Sequence, residues 1–167
     1  MITAIVAYDE NRVIGKDGKI PWNIPEDRKF FQQQTIGSAL IMGRKTWESI
    51  PLKKRPLKGR FNLILSKTCR DHGVGYLFVD KMDTAIWWAK YVLRMDNIFI
   101  IGGAEIFKIA LEKDLINRII VSKIYGIHEG DAYFPEIKTA NWEVHSPQKF
   151  KEFEVVEYVK SDEQGKI

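Results

Sequence analysis

The stretch NIFIIGGAEIF, at residues 97–107, places an apolar run directly before two glycines and a segment with helical spacing. A continuous apolar run of this length is typical of a strand that is buried on both faces. The stretch SALIMGRKTW, at residues 38–47, has the same order of strand, glycine and helix. The repeated unit predicts an α/β fold, with helices on both faces of a mostly parallel sheet.

Further strands extend this sheet in both directions. Apolar runs at residues 2–8, 61–66 and 118–124 have the same buried character. The segment WEVHSPQKFKEFEVVEYV, at residues 142–159, predicts two strands around a turn at Pro147. We expect these two strands to form an antiparallel hairpin at the edge of the sheet.

Four helices are predicted between the strands, over residues 25–34, after Gly43, over residues 83–95 and after Gly103. Pro25 suits a first helical position, because its φ is already helical and no intrahelical bond needs its missing N–H. In the third helix four large side chains share helical spacing, and we expect them to pack on the sheet as core: Trp87, Trp88, Tyr91 and Val92.

Length and composition predict one soluble domain. The chain has 167 residues, of which 45% are hydrophobic and 29% charged, so one sizeable core is possible and disorder is excluded. No apolar run approaches the roughly 18 residues that a membrane span needs. We expect the domain to cover residues 1–160, followed by a polar tail at 161–167, and the small size favours a monomer.

The charge and cysteine content favour a cytoplasmic protein with anionic ligands. The net charge is +4 and the pI about 9.1, without a tail of one sign. Cys69 is the single cysteine and has no partner within the chain, and the N-terminus has no signal core. Three histidines lack the spacing of metal ligands, so no metal is expected: His72, His128 and His145.

The two glycine turns are candidate phosphate sites. The chain lacks a G-x-G-x-x-G fingerprint, and GKDGK at residues 15–19 lacks the spacing of a P-loop. After Gly43, however, Arg44 and Lys45 meet the free N–H groups of a helix start, and Gly102 and Gly103 open another helix. Plain helix starts explain either turn alone, but together, at neighbouring strand ends, they suggest a dinucleotide phosphate chain.

Asp27 is the carboxylate whose surroundings most favour the binding of a ligand. Phe30 and Phe31 share its helix face, and burial of an unpaired charge costs several kcal/mol. A ligand with N–H donors would supply the missing partner, whereas the alternative is an acid that simply favours the helix dipole. The basic run KKRPLKGR, at residues 53–60, is open to three interpretations: a solvated loop, a nucleic-acid patch or an arginine clamp for a carboxylate.

Five segments, in order and at matching spacing, resemble the dihydrofolate reductase family: RVIGKDGKIPWNIPEDRKFF at 12–31, IMGRKTWESIP at 41–51, RPLKGRFNLILS at 55–66, IIGGAEIF at 100–107 and EGDAYFPE at 129–136. The resemblance extends from residue 1 to about residue 159. It implies a single α/β domain with a central eight-stranded, mostly parallel sheet, an antiparallel C-terminal edge strand and helices on both faces.

The resemblance implies hydride transfer from NADPH to C6 of 7,8-dihydrofolate with a proton at N5. The tetrahydrofolate formed would support one-carbon and thymidylate metabolism. Asp27 would hold the 2-amino group and N3 of the pterin, with Ile20 and Trp22 as further catalytic residues. The remaining substrate residues would be the apolar walls, a hydroxyl beside Asp27 and two arginines at the glutamate end: Ile5, Phe31, Ile50, Leu57, Ser122, Arg60 and the more exposed Arg55.

The resemblance also implies a cofactor site in three parts. A mobile loop would cover the nicotinamide, held closed by the loop of Gly130 and Asp131. Three cations, Arg44, Lys45 and Lys67, favour the 2′-phosphate of NADP over NAD. The full set of cofactor residues would be Ala7, Ile14, Gly15, Gly18, Lys19, Gly43, Arg44, Lys45, Thr46, Ser66, Lys67, Ile101, Gly102, Gly103, Ala104, Glu105, Ile106 and Phe107.

Four positions depart from residues that are commoner in the family: Ile20, Ala104, Glu105 and Phe107. An acid at Glu105 near the phosphates predicts weaker NADPH binding, which Lys67 partly offsets. Two other functions stay open. One is the related NADPH-dependent pyrimidine reductase of riboflavin synthesis, and the other is a basic nucleic-acid-binding protein. The pairing of Asp27, Phe31 and Arg60 favours dihydrofolate, with no nucleic-acid or membrane partner.

Overall fold

The computed structural model describes residues 1–161 and contains twelve strands and four α-helices in that range. The polar tail predicted from residue 161 lies, apart from Ser161, outside the described residues. The strands are β1 Ile2–Tyr8, β2 Val13–Gly15, β3 Ala39–Gly43, β4 Phe61–Leu65, β5 His72–Gly73, β6 Tyr76–Val79, β7 Ile98–Gly102, β8 Arg118–Ile124, β9 Ala132–Tyr133, β10 Trp142–Val144, β11 Gln148–Lys149 and β12 Phe153–Lys160. The α-helices are α1 Pro25–Thr35, α2 Arg44–Ser49, α3 Met82–Trp87 and α4 Ala104–Glu112.

Ten strands form the central sheet, in the order β10-β12-β8-β1-β7-β3-β4-β6-β5, with β11 also paired to β12. The six strands from β8 to β6 run parallel, and β12 lies antiparallel to β8. The predicted fold class is therefore confirmed. The sheet has ten strands where the resemblance implied eight, and three of the ten, β5, β10 and β11, are strands of only two or three residues at its edges.

The C-terminal hairpin differs from its prediction. The strands on either side of Pro147, β10 and β11, do not pair with each other, and both lie antiparallel to β12. The tight turn is at residues 150–152, where the Phe150 N–H donates to the Phe153 carbonyl at 2.8 Å. Proline lacks the N–H that a ladder needs, so Pro147 interrupts the outer strand instead of forming the turn.

The third helix also differs from its prediction. Trp87, Tyr91 and Val92 are exposed, and only Trp88 packs partly against the core. Ala85 and Ala89 occupy the face that meets the sheet. After Trp87 the helix widens into a π turn, Trp88–Val92, in which the Leu93 N–H donates to the Trp88 carbonyl at 2.9 Å. The buried stripe runs through Met82, Ala85, Ala89 and Leu93, at spacings of three and four residues. The helical period therefore holds, but small residues occupy most of the face on the sheet, and the size of the aromatic side chains predicts the wrong face.

The core has two layers, one on each face of the sheet. Alternate residues of β3 enter different layers: Ile41 packs with the residues of α3 and α4, whereas Met42 packs with Trp47 of α2 and with Phe31 of α1. Helices therefore cover both faces, as predicted, and α1 lies on the second face. Among residues 1–161, none of the helices combines the length and apolarity that a membrane crossing requires.

Two aromatic truncations test the corrected core. Phe153→Ala should lower the free energy of unfolding by about 4 kcal/mol, because its ring is 0% exposed and leaves a cavity. Tyr91→Ala should change it by less than about 0.5 kcal/mol, because that ring is 69% exposed. Urea unfolding measures both variants. A loss of several kcal/mol in Tyr91→Ala would restore the predicted packing of this side chain on the sheet.

Candidate active site

Asp27 lies in the first turn of α1, which begins at Pro25 as the sequence predicts. The chain enters this helix through a tight turn, in which the Asp27 N–H donates to the Ile24 carbonyl at 3.1 Å. The carboxylate is half-buried, and burial raises its pKa above the usual value, although the Ser122 hydroxyl and the Arg28 guanidinium oppose that rise. A half-buried carboxylate with a raised pKa is suited to bind N–H donors of a ligand.

The predicted apolar walls belong to one core layer, on the face of the sheet that α1 covers. Ile5 is buried in the second core layer, and three partly buried side chains that pack against the same layer are Phe31, Ile50 and Leu57. Trp22, Ala7 and Ile101 also pack there. Ser122 on β8 is the register partner of Ala7 on β1, so the hydroxyl and the strand that carries Ile5 are adjacent. These residues come from five separate parts of the chain.

Arg60 precedes β4, and its side chain contacts α1 about two helical turns beyond Asp27. Its guanidinium carbon is 5.9 Å from the centre of the Phe31 ring, and one terminal nitrogen donates to the Thr35 hydroxyl at 3.1 Å. Burial lowers the pKa of this guanidinium, which stays charged because arginine titrates so high. Arg55 is held elsewhere, 5.5 Å from the centre of the Trp47 ring, with its guanidinium donating to the Trp47 carbonyl.

Asn62 shapes the loop that carries Leu57 and Arg60, and sequence reasoning missed it. Its buried side chain accepts the Leu57 N–H at 3.0 Å and donates to the carbonyls of Leu57 and Arg60, each at 3.1 Å. An asparagine within the apolar run FNLIL was the available signal, because a buried amide needs several partners.

The two predicted glycine turns lie side by side at the carboxyl ends of β3 and β7. Met42 is the register partner of Gly102, and a Cβ added at Gly43 would lie 3.9 Å from the Gly102 carbonyl oxygen. Gly102 has a φ of +110°, and a Cβ there would lie 2.9 Å from the Phe107 ring. The Phe107 ring is buried against the Phe134 ring, so Phe107 supports the Gly102 turn from the side of the core.

The cation group stands at the same edge of the sheet. Arg44 and Lys45 are exposed in the first turn of α2, and Arg44 pairs with Glu48 at 3.5 Å. Lys67 is exposed directly after β4, next to the buried Ser66, whose hydroxyl accepts the Cys69 N–H at 2.9 Å. Because parallel β3 and β4 end together, the three cations belong to neighbouring loops.

The loop that follows β1 and the loop that follows β8 pair with each other. Val13 and Gly15 of β2 align with Tyr133 and Ala132 of β9, and the Asp131 N–H donates to the Gly15 carbonyl at 3.0 Å. A Cβ at Gly130 would lie 2.2 Å from a Val13 methyl, so this contact requires glycine. The tip of the first loop stands in solvent, with Ile20 64% exposed.

Asp9 is a second polar residue that sequence reasoning missed. It follows β1 directly and is buried, and its carboxylate accepts backbone N–H groups from both loops. Burial alone would raise its pKa, but the N–H donors of Val13, His128 and Asn11 hold the pKa below its usual value. An acid at the carboxyl end of a central strand was the available signal, because ligands bind at that edge.

The comparison with known families agrees with this geometry. A family model described as dihydrofolate reductase matches residues 1–161. The chain belongs to the dihydrofolate reductase family. Among curated relatives, the dihydrofolate reductase of Haemophilus influenzae is 39% identical over 97% of this chain and 90% of its own length. The dihydrofolate reductase of Buchnera aphidicola is 44% identical over 82% of this chain and 80% of its own length.

A solved structure of the same family has this fold. The dihydrofolate reductase of Enterococcus faecalis, complexed with NADP(H) and RAB-propyl, aligns with a TM-score of 0.82 and 31% identity. The alignment covers 97% of each chain. The family, and the fold that the resemblance implied, are thereby confirmed. The individual residue roles stay predictions.

A glycine substitution tests the close approach at the second turn. Gly102→Ala should lower the free energy of unfolding by about 2 kcal/mol, because its positive φ disfavours a side chain and its Cβ would meet the Phe107 ring. The matched control is Gly37→Ala, which also has a positive φ but meets nothing within 4 Å and should lose about 1 kcal/mol. Urea unfolding measures both. Equal losses would show that the ring does not constrain the turn.

Proposed function

We propose that this chain reduces 7,8-dihydrofolate to tetrahydrofolate with NADPH as the reductant. The observation that carries the proposal is the spacing of two opposite charges along α1. Asp27 lies in the first turn, and Arg60 is anchored at Thr35, eight residues further, which is about 12 Å along a helix. A ligand with N–H donors at one end, an apolar middle and a carboxylate at the other end fits this arrangement.

The chain's residues bind and orient the substrate. The Asp27 carboxylate accepts the N–H groups of the 2-amino group and N3, which fixes the pterin ring and favours its protonation at N5. Phe31, Ile50 and Leu57 enclose the apolar middle of the substrate, and Arg60 binds its glutamate α-carboxylate. The Ser122 hydroxyl donates a hydrogen bond to the Asp27 carboxylate and so limits the rise in the pKa of Asp27. Removal of water by these walls strengthens each of the polar contacts.

The residues at the sheet edge fit a dinucleotide phosphate. Gly43, Gly102 and Gly103 leave room for close backbone approach, and α4 begins there with free N–H groups. Arg44, Lys45 and Lys67 provide three positive charges for a 2′-phosphate. NADPH, when bound, supplies the hydride that reaches C6 of the substrate. The paired loops β2 and β9 would cover the reacting rings and exclude water.

Two further points belong to the proposal. The chain acts as a monomer in the cytoplasm, a proposal supported by its small size and by its single cysteine, Cys69. Dihydrofolate is its small-molecule partner. Arg55 and Arg60 of the basic loop turn inward onto Trp47 and Phe31, which favours the arginine clamp among the three interpretations of that loop.

The first test follows the loss of NADPH absorbance after dihydrofolate is added to the purified chain. We expect fast decay with NADPH and much slower decay with NADH. Lys45→Ala should raise the KM for NADPH by about tenfold, since one phosphate contact contributes about 1.4 kcal/mol, and should leave the KM for NADH unchanged. Lys90→Ala, an exposed lysine outside the site, is the matched control. Decay with a riboflavin-pathway pyrimidine and none with dihydrofolate would refute the proposal.

The second test replaces the carboxylate. Asp27→Asn should lower turnover at neutral pH by about 100-fold or more, while NADPH binding, measured by fluorescence titration, stays unchanged. The exposed neighbour Glu26 supplies the control Glu26→Gln, which should keep full turnover. Full turnover in Asp27→Asn would remove Asp27 from its assigned role.

The same variant should also gain stability, with a pH dependence. Burial raises the folded pKa of Asp27 above 3.8, so the folded state binds the proton more tightly than the unfolded state. Ionisation therefore costs stability, fully above the folded pKa and not at all below 3.8. Asp27→Asn should raise the free energy of unfolding at neutral pH, and the gain should vanish in acid. Urea unfolding across pH measures it.

A further inference from the structure

Asp9, a carboxylate without a role in the proposed reaction, has hydrogen-bond partners for both of its oxygens. The Asp9 side chain is 0% exposed. Its Oδ1 accepts the N–H groups of Asn11 at 2.9 Å and Val13 at 3.0 Å. Its Oδ2 accepts the His128 N–H at 2.6 Å and lies 3.2 Å from Nδ1 of the His128 ring. None of the substrate or cofactor contacts proposed above uses Asp9.

The two oxygens of Asp9 serve two different loops. Asn11 and Val13, the first residue of β2, belong to the segment between β1 and α1, whereas His128 belongs to the loop that follows β8. A backbone bond from the Glu10 N–H to the Gly126 carbonyl, at 3.3 Å, joins the same two loops beside Asp9. The carboxylate is thus a buried link at the base of both loops.

The link continues from His128 to Trp22. The His128 and Trp22 rings meet edge to face, with 5.1 Å between their centres and 65° between their planes. Trp22 also packs against the second core layer, with the apolar walls of the site, and it precedes Asp27 by five residues. A continuous chain of contacts therefore runs from Asp9 through the His128 ring to the segment that enters α1.

We propose that Asp9 is a positioning residue, whose carboxylate orients the His128 ring and thereby holds Trp22 and the covering loop in place over the site. The rate effect of this role rests on the proposed reductase function, but the position of Trp22 does not. A carboxylate is required because both of its oxygens accept hydrogen bonds. An amide in the same place accepts on one side only, so one loop loses its anchor.

The test is the environment of Trp22 in Asp9→Asn. The protein is labelled with 5-fluorotryptophan, and the Trp22 resonance among the five tryptophans is assigned with Trp22→Phe. Without ligands, we expect the ¹⁹F resonance of Trp22 to shift and broaden in Asp9→Asn, while the other four stay in place. The control Asp114→Asn removes a carboxylate that binds Lys160 on the surface, and it should leave Trp22 unchanged.

A second variant separates the ring contact from the fold. His128→Phe keeps an aromatic ring against Trp22 and keeps the backbone N–H for Asp9, but it loses the ring nitrogen. We expect it to move the same ¹⁹F resonance in the same direction. If Asp9→Asn does not fold, His128→Phe tests the proposed positioning role in its place. A Trp22 resonance at the parent position in either folded variant would overturn the proposal.

Steady-state kinetics distinguish a positioning role of Asp9 from a role in stability alone. Asp9→Asn should lower kcat by about tenfold and raise the KM for NADPH, since small misplacements near reacting groups have effects of this size or larger. The KM for dihydrofolate should change less, because Arg60 and Phe31 lie outside the linked loops. Lower stability with unchanged kcat and KM would overturn the proposed role. An inactive parent would instead refute the reductase function, and the ¹⁹F result would still decide the position of Trp22.

Discussion

The parallel pairing of β8, β1, β7 and β3 brings four strand ends to one edge of the sheet, and the glycine turns, the cations and the covering loops of the candidate site depend on that edge. Asp9 follows β1, Gly43 ends β3, Gly102 ends β7, and the loop with His128 follows β8. In an antiparallel sheet these ends would alternate between opposite edges. The parallel order therefore places glycine turns, cations and two covering loops within reach of one ligand pair.

Asp9 and Asp27, the two acids near this edge, show two ways in which a folded protein accommodates a fully or partly buried carboxylate. Asp9 has its hydrogen bonds supplied by the backbone of both loops, which lowers its pKa and makes it a structural link. Asp27 has fewer partners than its burial requires, which raises its pKa and costs stability in the folded state. A ligand with N–H donors would offset that cost, so the deficit that destabilises the free protein would favour the substrate binding proposed for Asp27.

Arg60 and Asn62 show how the loop after α2 contributes to the site without regular structure. Asn62, buried on β4, bonds both backbone groups of Leu57 and so fixes the curve of the loop. Thr35 and Phe31 then hold the guanidinium against α1. The charged end of the site is consequently attached to the same helix as Asp27, so the distance between the two charges is set by a rigid element.

Short segments of the chain are enough to predict the alternation of buried strands and helices, the start of α1 at Pro25, the two glycine turns and the motifs of the family, because each is a local property. The side chains that meet across segments are specified by the packing of the whole domain. Trp22 and His128 are 106 residues apart in the numbering and lie in contact because β1 and β8 are neighbours. The choice of Ala85 and Ala89 for the face on the sheet, and the pairing of the outer strands with β12, likewise depend on the space and partners that the rest of the fold offers, which local periodicity does not specify.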